Sequence, residues 1–248
     1  MRCIISAESD ASMSTLYIVA TPIGNLQDIS LRAIKTLFSA QVIACEDTRR
    51  TGLLLQQLTK LTNVPVEFKP RLISFYDEVE QRKIPEIIEI LKSGLDVALV
   101  SDAGTPLVSD PGFKLVRECI EQGIRVESIP GASSVVTALT VSGLPSDKFF
   151  FFGYPPRKEG HRRELFEKLH TLQGQLKTTA IFFEAPHRII GTIDELIETF
   201  GEDKHIVICR ELTKIHEEVM RDTLGKMKQH FAHNNPKGEF VLLLNTEE

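Results

Sequence analysis

Residues 97–113 read VALVSDAGTPLVSDPGF. Val97–Ser101 is a short apolar run closed by a serine, the pattern of a strand buried on both faces. Phe113–Gln122 repeats apolar residues at helical spacing and is followed by Gly123, the usual residue just past a helix end. The connection between them carries two Gly, two Pro and two Asp, more than a simple link requires. Asp110 suits a helix N-cap and Pro111 the first helical position. The small residues of the loop leave backbone N–H and C=O groups open, which suits a purine or an amino-acid head group. Its carboxylates attract a cation and repel phosphate.

Outward from this stretch the same strand, loop and helix recur. Strands are predicted at Leu16–Ala20, Gln41–Cys45, Arg71–Phe75 and Arg125–Ile129. Helices are predicted around Leu31–Phe38, from Thr48 to about Leu58, along Ile84, Ile87, Ile88 and Leu91, and over Ser133–Val141. Asp28 or Ser30 can cap the first of these. Five strands alternating with helices predict an α/β fold, a mostly parallel doubly wound sheet with helices on both faces. Such sheets bind ligands outside the carboxyl ends of their strands, so the residues after each strand are the informative ones. A break falls at Gly143–Asp147 (GLPSD). Beyond it, strands are predicted at Phe149–Phe152, Thr179–Glu184, His205–Arg210, Val219–Asp222 and Phe240–Leu244. Helices are predicted at His161–Leu172, Ile189–Phe200 and from Leu224 to about Phe231, which together make a smaller mixed α/β domain. The expected division is a disordered extension over 1–14, an N-terminal domain over 15–145 and a C-terminal domain over 146–248.

Composition narrows the class. The chain has 248 residues, 42% of them apolar and 25% charged, enough to build a core without disulfide or metal staples. Runs such as Phe149–Gly153 and Phe240–Leu244 are far too short to span a bilayer, so no membrane partner is expected. The N-terminus lacks the apolar segment of a signal peptide. The formal net charge is −5 and neither half is basic, so any nucleic-acid contact must come from local patches. The cysteines at 3, 45, 119 and 209 are scattered, as in a reduced cytoplasmic protein. His230 and His233 share a helical face but lack a third ligand, so no metal site is expected.

Nucleotide and hydrolase signatures are missing: no GxGxxG after the first strand, no GxxxxGK[ST], no HExxH and no GxSxG. What remains is a set of strand-end loops. In Ala20–Leu26 (ATPIGNL), Pro22 fixes φ and Gly24 releases it, so the loop is either a plain turn or one that brings bare backbone to a ligand. In Pro130–Ser134 (PGASS), the serines can cap a helix, bond a ligand, or both. In Glu46–Arg50 (EDTRR), Glu46 is the candidate for proton handling and Arg49 for a phosphate. Asp47 or Thr48 can equally cap the next helix. Tyr154–Arg163 (YPPRKEGHRR) gathers Arg157, Lys158, Arg162 and Arg163 beside an aromatic strand, either an RNA grip or a solvated helix start. Phe149–Phe152 reads as packing rather than a stacking platform. His187 and Arg188 are further RNA candidates. Lys237, in KGE, either touches RNA or belongs to a turn.

Taken in order, ATPIGNLQDIS, ACEDTRRTGLLL, LVSDAGTPLVSDPG, PGASS, FFEAPHRI, CRELTK and KGE resemble the bacterial ribosomal RNA small-subunit methyltransferase I family of the tetrapyrrole methylase superfamily. The likeness runs from about Leu16 to Leu244. It implies two α/β domains with S-adenosylmethionine in the cleft between them. It implies methyl transfer to the ribose 2′-hydroxyl of a cytidine in the decoding centre of 16S ribosomal RNA, within the small ribosomal subunit, by a cytoplasmic homodimer. Cofactor contacts are implied for Pro22, for Asp102, Ala103, Gly104, Thr105 and Val108, and for Ser133 and Ser134. Glu184 and Leu212 are implied from the second domain. Catalytic roles fall to Glu46 and Asp47, and substrate contacts to Arg49, Arg157, Lys158, Arg162, Arg163 and Lys237. Two other functions compete: a tetrapyrrole methyltransferase of the same fold, and a non-catalytic S-adenosylmethionine-binding ribosome-assembly factor. The basic cluster and the TPIGNL loop argue against the tetrapyrrole. The sequence departs from the family at Ser74–Glu80 (SFYDEVE), where histidines are usual, and it ends at Glu248, where many members continue.

Overall fold

The computed structural model describes residues 14–62, 64, 69–172, 175–233 and 236–246. The expected N-terminal extension lies outside them except for Ser14. By packing, the chain divides into two compact units. One ends at Pro22 and resumes over Leu26–Ala132; the other comprises Ile23–Asn25 and Ser133–Glu248.

The sheet of the first unit consists of β1 (Thr15–Val19), β2 (Val42–Cys45), β3 (Arg71–Ser74), β4 (Val97–Val100) and β5 (Arg125–Ile129). All pairings are parallel, in the order β3-β2-β4-β1-β5. The helices are α1 (Leu31–Ser39), α2 (Thr48–Leu61), α3 (Asp77–Lys92) and α4 (Phe113–Glu121). Successive side chains of a strand point to opposite faces. Val97 and Leu99 of β4 enter a core with Ile87, Ile88 and Leu91 of α3 and Leu115 and Cys119 of α4. Ala98 and Val100 enter another with Ala33, Ile34 and Leu37 of α1 and Leu58 of α2. β4 is apolar throughout because both its faces are covered. Each large side chain so buried contributes about 1.5–3 kcal/mol by leaving water.

The same two cores locate the ligand edge. α1 follows β1 onto one face and α4 follows β4 onto the other. β1 and β4 are neighbours, so the loops leaving them part where the chain changes face, the position at which open α/β sheets bind ligands.

Local signals explain most helix starts. Ser30, not Asp28, caps α1, its hydroxyl accepting the N–H of Ala33 at 3.0 Å. α3 begins at Asp77, well before the apolar spacing at Ile84, and runs through Pro85. Its first turn carries Asp77, Glu78 and Glu80, which favour a helix N-terminus electrostatically while hiding the apolar periodicity. The expected cap at Asp110 and start at Pro111 are corrected. α4 starts at Phe113, with Gly112 at the cap position and a φ of 130°. An added Cβ at Gly112 would lie 2.7 Å from Leu99, so only glycine fits there.

The second unit carries a mixed sheet of β6 (Phe149–Phe151), β7 (Thr179–Glu184), β8 (His205–Arg210), β9 (Glu218–Thr223) and β10 (Phe240–Asn245), in the order β6-β7-β10-β8-β9. Only β6 and β7 pair in parallel. α6 (Glu159–Thr171), α7 (Ile189–Phe200) and α8 (Leu224–His233) share a core with Ala180, Phe182, Ile206, Ile208, Phe240, Leu242 and Leu244. α5 (Ser134–Ser142) packs on β8, β9 and β10, and Arg221 donates to the carbonyls of Val141 and Ser142 at its C-terminal end. That packing draws α5 into the second unit, so the division falls between Ala132 and Ser133 rather than at Pro145. Among the described residues no helix is long and apolar enough to cross a membrane, and no three His, Cys, Asp or Glu side chains gather as metal ligands.

Candidate cofactor and substrate site

The loops after β1 and β4 are joined. Thr21 N–H donates to the Gly104 carbonyl at 2.8 Å, and Gly104 N–H returns to Thr21 at 3.1 Å. The buried Thr21 hydroxyl donates to the Ser101 carbonyl at 3.1 Å. Gly104 has a φ of 86°, which a side chain would strain. Farther along, Leu107 and Ser109 also adopt left-handed backbone, at 72° and 67°, a cost of about 1–3 kcal/mol each. The loop end is secured by Glu80 of α3. This buried carboxylate accepts Gly112 N–H at 2.9 Å and pairs with Lys114 at 2.9 Å.

The loop after β2 is stitched to the same place. Glu46 Oε1 accepts the N–H of Asp102 at 3.0 Å, and Asp102 Oδ1 accepts the N–H of Asp47 at 3.2 Å. Arg50 lies 3.0 Å from the other oxygen of Asp102. Burial pushes the Glu46 carboxyl above its ordinary value, with the Asp110 and Asp102 charges adding to the rise against hydrogen bonds from Asp102 and Ser101. Burial likewise raises Asp110, helped by Asp102 and Asp77. Three partly buried acids thus surround the switch point of the sheet with Arg50 as a cationic neighbour. Such a nest welcomes a cation or hydroxyl donors and disfavours phosphate.

Asp47 behaves differently. Its Oδ1 caps α2 by accepting Arg49 N–H at 2.8 Å, and both oxygens take hydrogen bonds from the Arg49 guanidinium, at 3.1 and 2.8 Å. The Arg49 guanidinium holds its carboxyl well below the usual carboxylate range. Arg49 itself projects into solvent beside that cap.

At the end of β5, Thr105 hydroxyl donates to the Ala132 carbonyl at 3.0 Å, binding the PG loop to the β4 loop. Gly131 is needed here: an added Cβ would stand 3.0 Å from that of Ala20. Ser133 occupies the cap position of α5, yet its side chain makes no capping bond. The first unit therefore brings Pro22, Glu46, Asp47, Asp102, Ala103, Gly104 and Thr105 to one sheet edge, with Val108 exposed farther along the loop. Ser133, Ser134, Glu184, Leu212 and Lys237 belong to the second unit, as do the clustered cations.

In that unit Gly24 serves a purpose the sequence did not reveal. Its φ is ordinary, but a Cβ would meet Lys214 Cγ at 2.5 Å, Thr213 Oγ1 at 2.7 Å and the Leu212 carbonyl at 3.0 Å. Asn25 N–H donates to Thr213 Oγ1 at 3.0 Å. Gly24 is there to let the RELTK loop approach, with Leu212 buried between Glu211 and Thr213, both left-handed. Lys214 pins that loop by pairing with Glu211 and Glu239, each at 2.9 Å. Lys237-Gly238-Glu239 is a turn fitted onto Glu211, whose Oε1 accepts Glu239 N–H at 2.9 Å, while the Lys237 side chain is exposed.

The Glu184 side chain has no exposed surface. It accepts Ala185 N–H at 2.8 Å and the Thr192 hydroxyl, and lies 3.3 Å from Arg188. Arg162 is an internal residue too, paired with Glu195 of α7. Arg163 pairs with Glu198 at 2.8 Å. Arg157 and Lys158 remain exposed and take part in no ion pair among the described residues. Thr21, Glu80 and Lys214 carry the framework of the loops, a role the sequence does not show, because the Gly104, Gly112 and Glu239 partners lie 83, 32 and 25 positions away.

A family model described as Tetrapyrrole (Corrin/Porphyrin) Methylases matches residues 15–228. Ribosomal RNA small subunit methyltransferase I of Haemophilus influenzae is 43% identical over 231 residues, 92% of this chain and 77% of that protein. Its counterpart in Thermotoga maritima is 41% identical over 236 residues, 95% of this chain and 100% of that protein. Among solved structures, a diphthine synthase matches with a TM-score of 0.69 at 17% identity, over 94% of this chain and 90% of that one. A cobalt precorrin-4 methyltransferase matches with a TM-score of 0.67 at 19% identity, over 96% and 97%. These two structural likenesses concern the fold alone. The chain belongs to the tetrapyrrole methylase family and, within it, to the ribosomal RNA small subunit methyltransferase I family.

Proposed function

We propose that this protein methylates the ribose 2′-hydroxyl of a cytidine in the decoding centre of 16S ribosomal RNA, using S-adenosylmethionine and acting on the small ribosomal subunit in the cytoplasm as a homodimer. The observation that carries the reading is the extent of identity to ribosomal RNA small subunit methyltransferase I proteins, which in Thermotoga maritima covers the whole relative.

The residues present fit the cofactor. Glu46 and Asp110 are carboxyls raised first by burial and then by neighbouring acids, Asp110 and Asp102 acting on Glu46 and Asp102 and Asp77 on Asp110, an electrostatic deficit that a positively charged sulfonium or ammonium relieves. Gly104 and Thr21 hold backbone rather than bulk at the switch point. Asp102, Ala103, Gly104 and Thr105 would hold the cofactor, with Pro22 and Val108 on the same two loops. When bound, S-adenosylmethionine supplies an electrophilic methyl group. Glu46, held in place by Asp102 N–H, would take the proton of the ribose hydroxyl. Arg49 reaches solvent from the same edge and is placed to hold a phosphate next to the target ribose. Orienting these groups toward one hydroxyl is the main demand of the reaction.

Calorimetry with S-adenosylmethionine, followed by methyl incorporation into isolated small ribosomal subunits, naked 16S ribosomal RNA and a tetrapyrrole, tests the reading. Incorporation into RNA, mapped to one cytidine, is expected. Incorporation into the tetrapyrrole alone, or cofactor binding without any turnover, would replace it with one of the two competing functions.

A further inference from the structure

The loop between β6 and α6 is held more firmly than a connector requires. Arg188 Nη2 donates to the carbonyls of Pro155 and Pro156, at 2.6 and 3.3 Å. Arg162 Nη1 donates to the carbonyls of Pro156 and Arg157, at 3.3 and 3.4 Å. Each guanidinium is backed by a buried carboxylate, Glu184 behind Arg188 and Glu195 behind Arg162. Removing two ion pairs from water is costly, and hydrophobic packing would hold a core more cheaply. Here the charges clamp four carbonyl contacts of one exposed loop, which is the arrangement that pre-organises a surface for binding.

What the clamp presents is specific. Tyr154 is 54% exposed, and its ring stands edge-on to Phe183 at 5.6 Å, which in turn meets Phe151 at 4.8 Å. The ring is thus backed by Phe183, itself braced by Phe151, on a residue that is more than half exposed. Three and four residues on, Arg157 and Lys158 are exposed and free of ion pairs among the described residues. The acid that follows, Glu159, leans toward Arg163 at 3.7 Å. A fixed aromatic ring followed by two uncommitted cations matches the chemistry of an unpaired polynucleotide, whose bases stack and whose phosphates need positive charge.

We propose that the clamped Tyr154–Lys158 loop is a docking surface for a single-stranded stretch of RNA, with Tyr154 stacking on a base and Arg157 and Lys158 holding phosphates. Arg162 and Arg188 are positioning residues that fix the loop from within. The inference rests on the RNA-substrate reading above and adds to it the residue that grips a base.

The test is fluorescence anisotropy of the full chain with a single-stranded, cytidine-containing oligoribonucleotide over a range of salt. Tyr154→Ala is expected to weaken binding about tenfold with an unchanged salt slope, and Tyr154→Phe to bind like the parent. Arg157→Ala combined with Lys158→Ala is expected to lower the slope of log affinity against log salt by about 1.4, two phosphate contacts on a single strand. Arg188→Lys keeps the charge but loses the fork. It is expected to weaken binding at unchanged slope in protein that a thermal melt shows to be folded; a merely structural role would lower the melt alone. Parent protein that binds RNA indistinguishably from Tyr154→Ala and from the double variant overturns this inference alone. So does a change of oligomeric state in Tyr154→Ala, by sedimentation, without a change in RNA affinity. Parent protein that binds S-adenosylmethionine but no RNA overturns the substrate reading, and this inference with it.

Discussion

Glu46 is the side chain on which proton transfer is proposed to turn, and its environment makes two outcomes measurable. Its carboxyl is raised chiefly by burial, so the folded chain favours the protonated form. The stability this contributes is present below the ordinary carboxylate range and is lost as pH rises through the raised value. Glu46→Gln keeps an oxygen for Asp102 N–H and removes the charge. Chemical denaturation across pH should therefore show a flatter profile in the variant and no loss of stability at neutral pH. Methyl transfer should fall by about 10²–10⁴-fold, the usual contribution of a general base. A variant with parent activity would remove Glu46 from the chemistry. Gly24 supplies the second case at this scale. Gly24→Ala drives a Cβ to 2.5 Å from Lys214 Cγ and should cost about 1–3 kcal/mol in urea unfolding. Lys214→Ala in the same chain should recover part of that loss, because it empties the space; a simple sum of the two costs would rule out the contact as the cause.

Elements carry a different kind of dependence. The β4–α4 loop is shaped by left-handed Leu107 and Ser109 and anchored at its end by Glu80 from another helix. Glu80→Ala leaves the Gly112 N–H buried without an acceptor, a cost of about 1–3 kcal/mol, and frees the loop. Both the denaturation midpoint and the calorimetric affinity for S-adenosylmethionine are expected to fall; a loss of stability with parent affinity would show that the loop needs no anchor. The α6–α7 pair offers a sharper contrast. Arg162 and Arg157 lie five residues apart in a run of cations, and sequence treats them alike. Arg162→Ala abandons the buried Glu195 carboxylate and should cost about 3–5 kcal/mol. Arg157→Ala, at the surface, should stay within about 0.5 kcal/mol in the same melts.

For the whole molecule, ligand linkage is the useful measure. S-Adenosylmethionine at a hundred times its dissociation constant should stabilise the chain by about 2.7 kcal/mol, seen as a rise in melting temperature. The carboxylates proposed to attract its positive charge include two with raised values, Glu46 and Asp110. The rise should therefore shrink as pH falls through those raised values. A shift that is constant down to the ordinary carboxylate range would mean that these acids do not sense the ligand. The formal net charge of −5 sets the complementary expectation that RNA affinity depends on a local patch and weakens steeply with salt.

Much of this protein was legible in one dimension because its signals are local. Strand burial is written in short apolar runs such as Val97–Val100, and helix ends in Ser30, Asp47 and Gly123, each acting within a few residues. The order of motifs from Leu16 to Leu244 is enough to point to the family. Tertiary structure decided which charged residues work inside the protein and which face outward. Arg162 has the Glu195 carboxylate of α7 against it and Arg157 has no such partner among the described residues, and Gly24 matters because the Leu212–Lys214 stretch approaches it. Ion pairing and close packing depend on partners distant in the chain, so their outcome is set when the elements assemble.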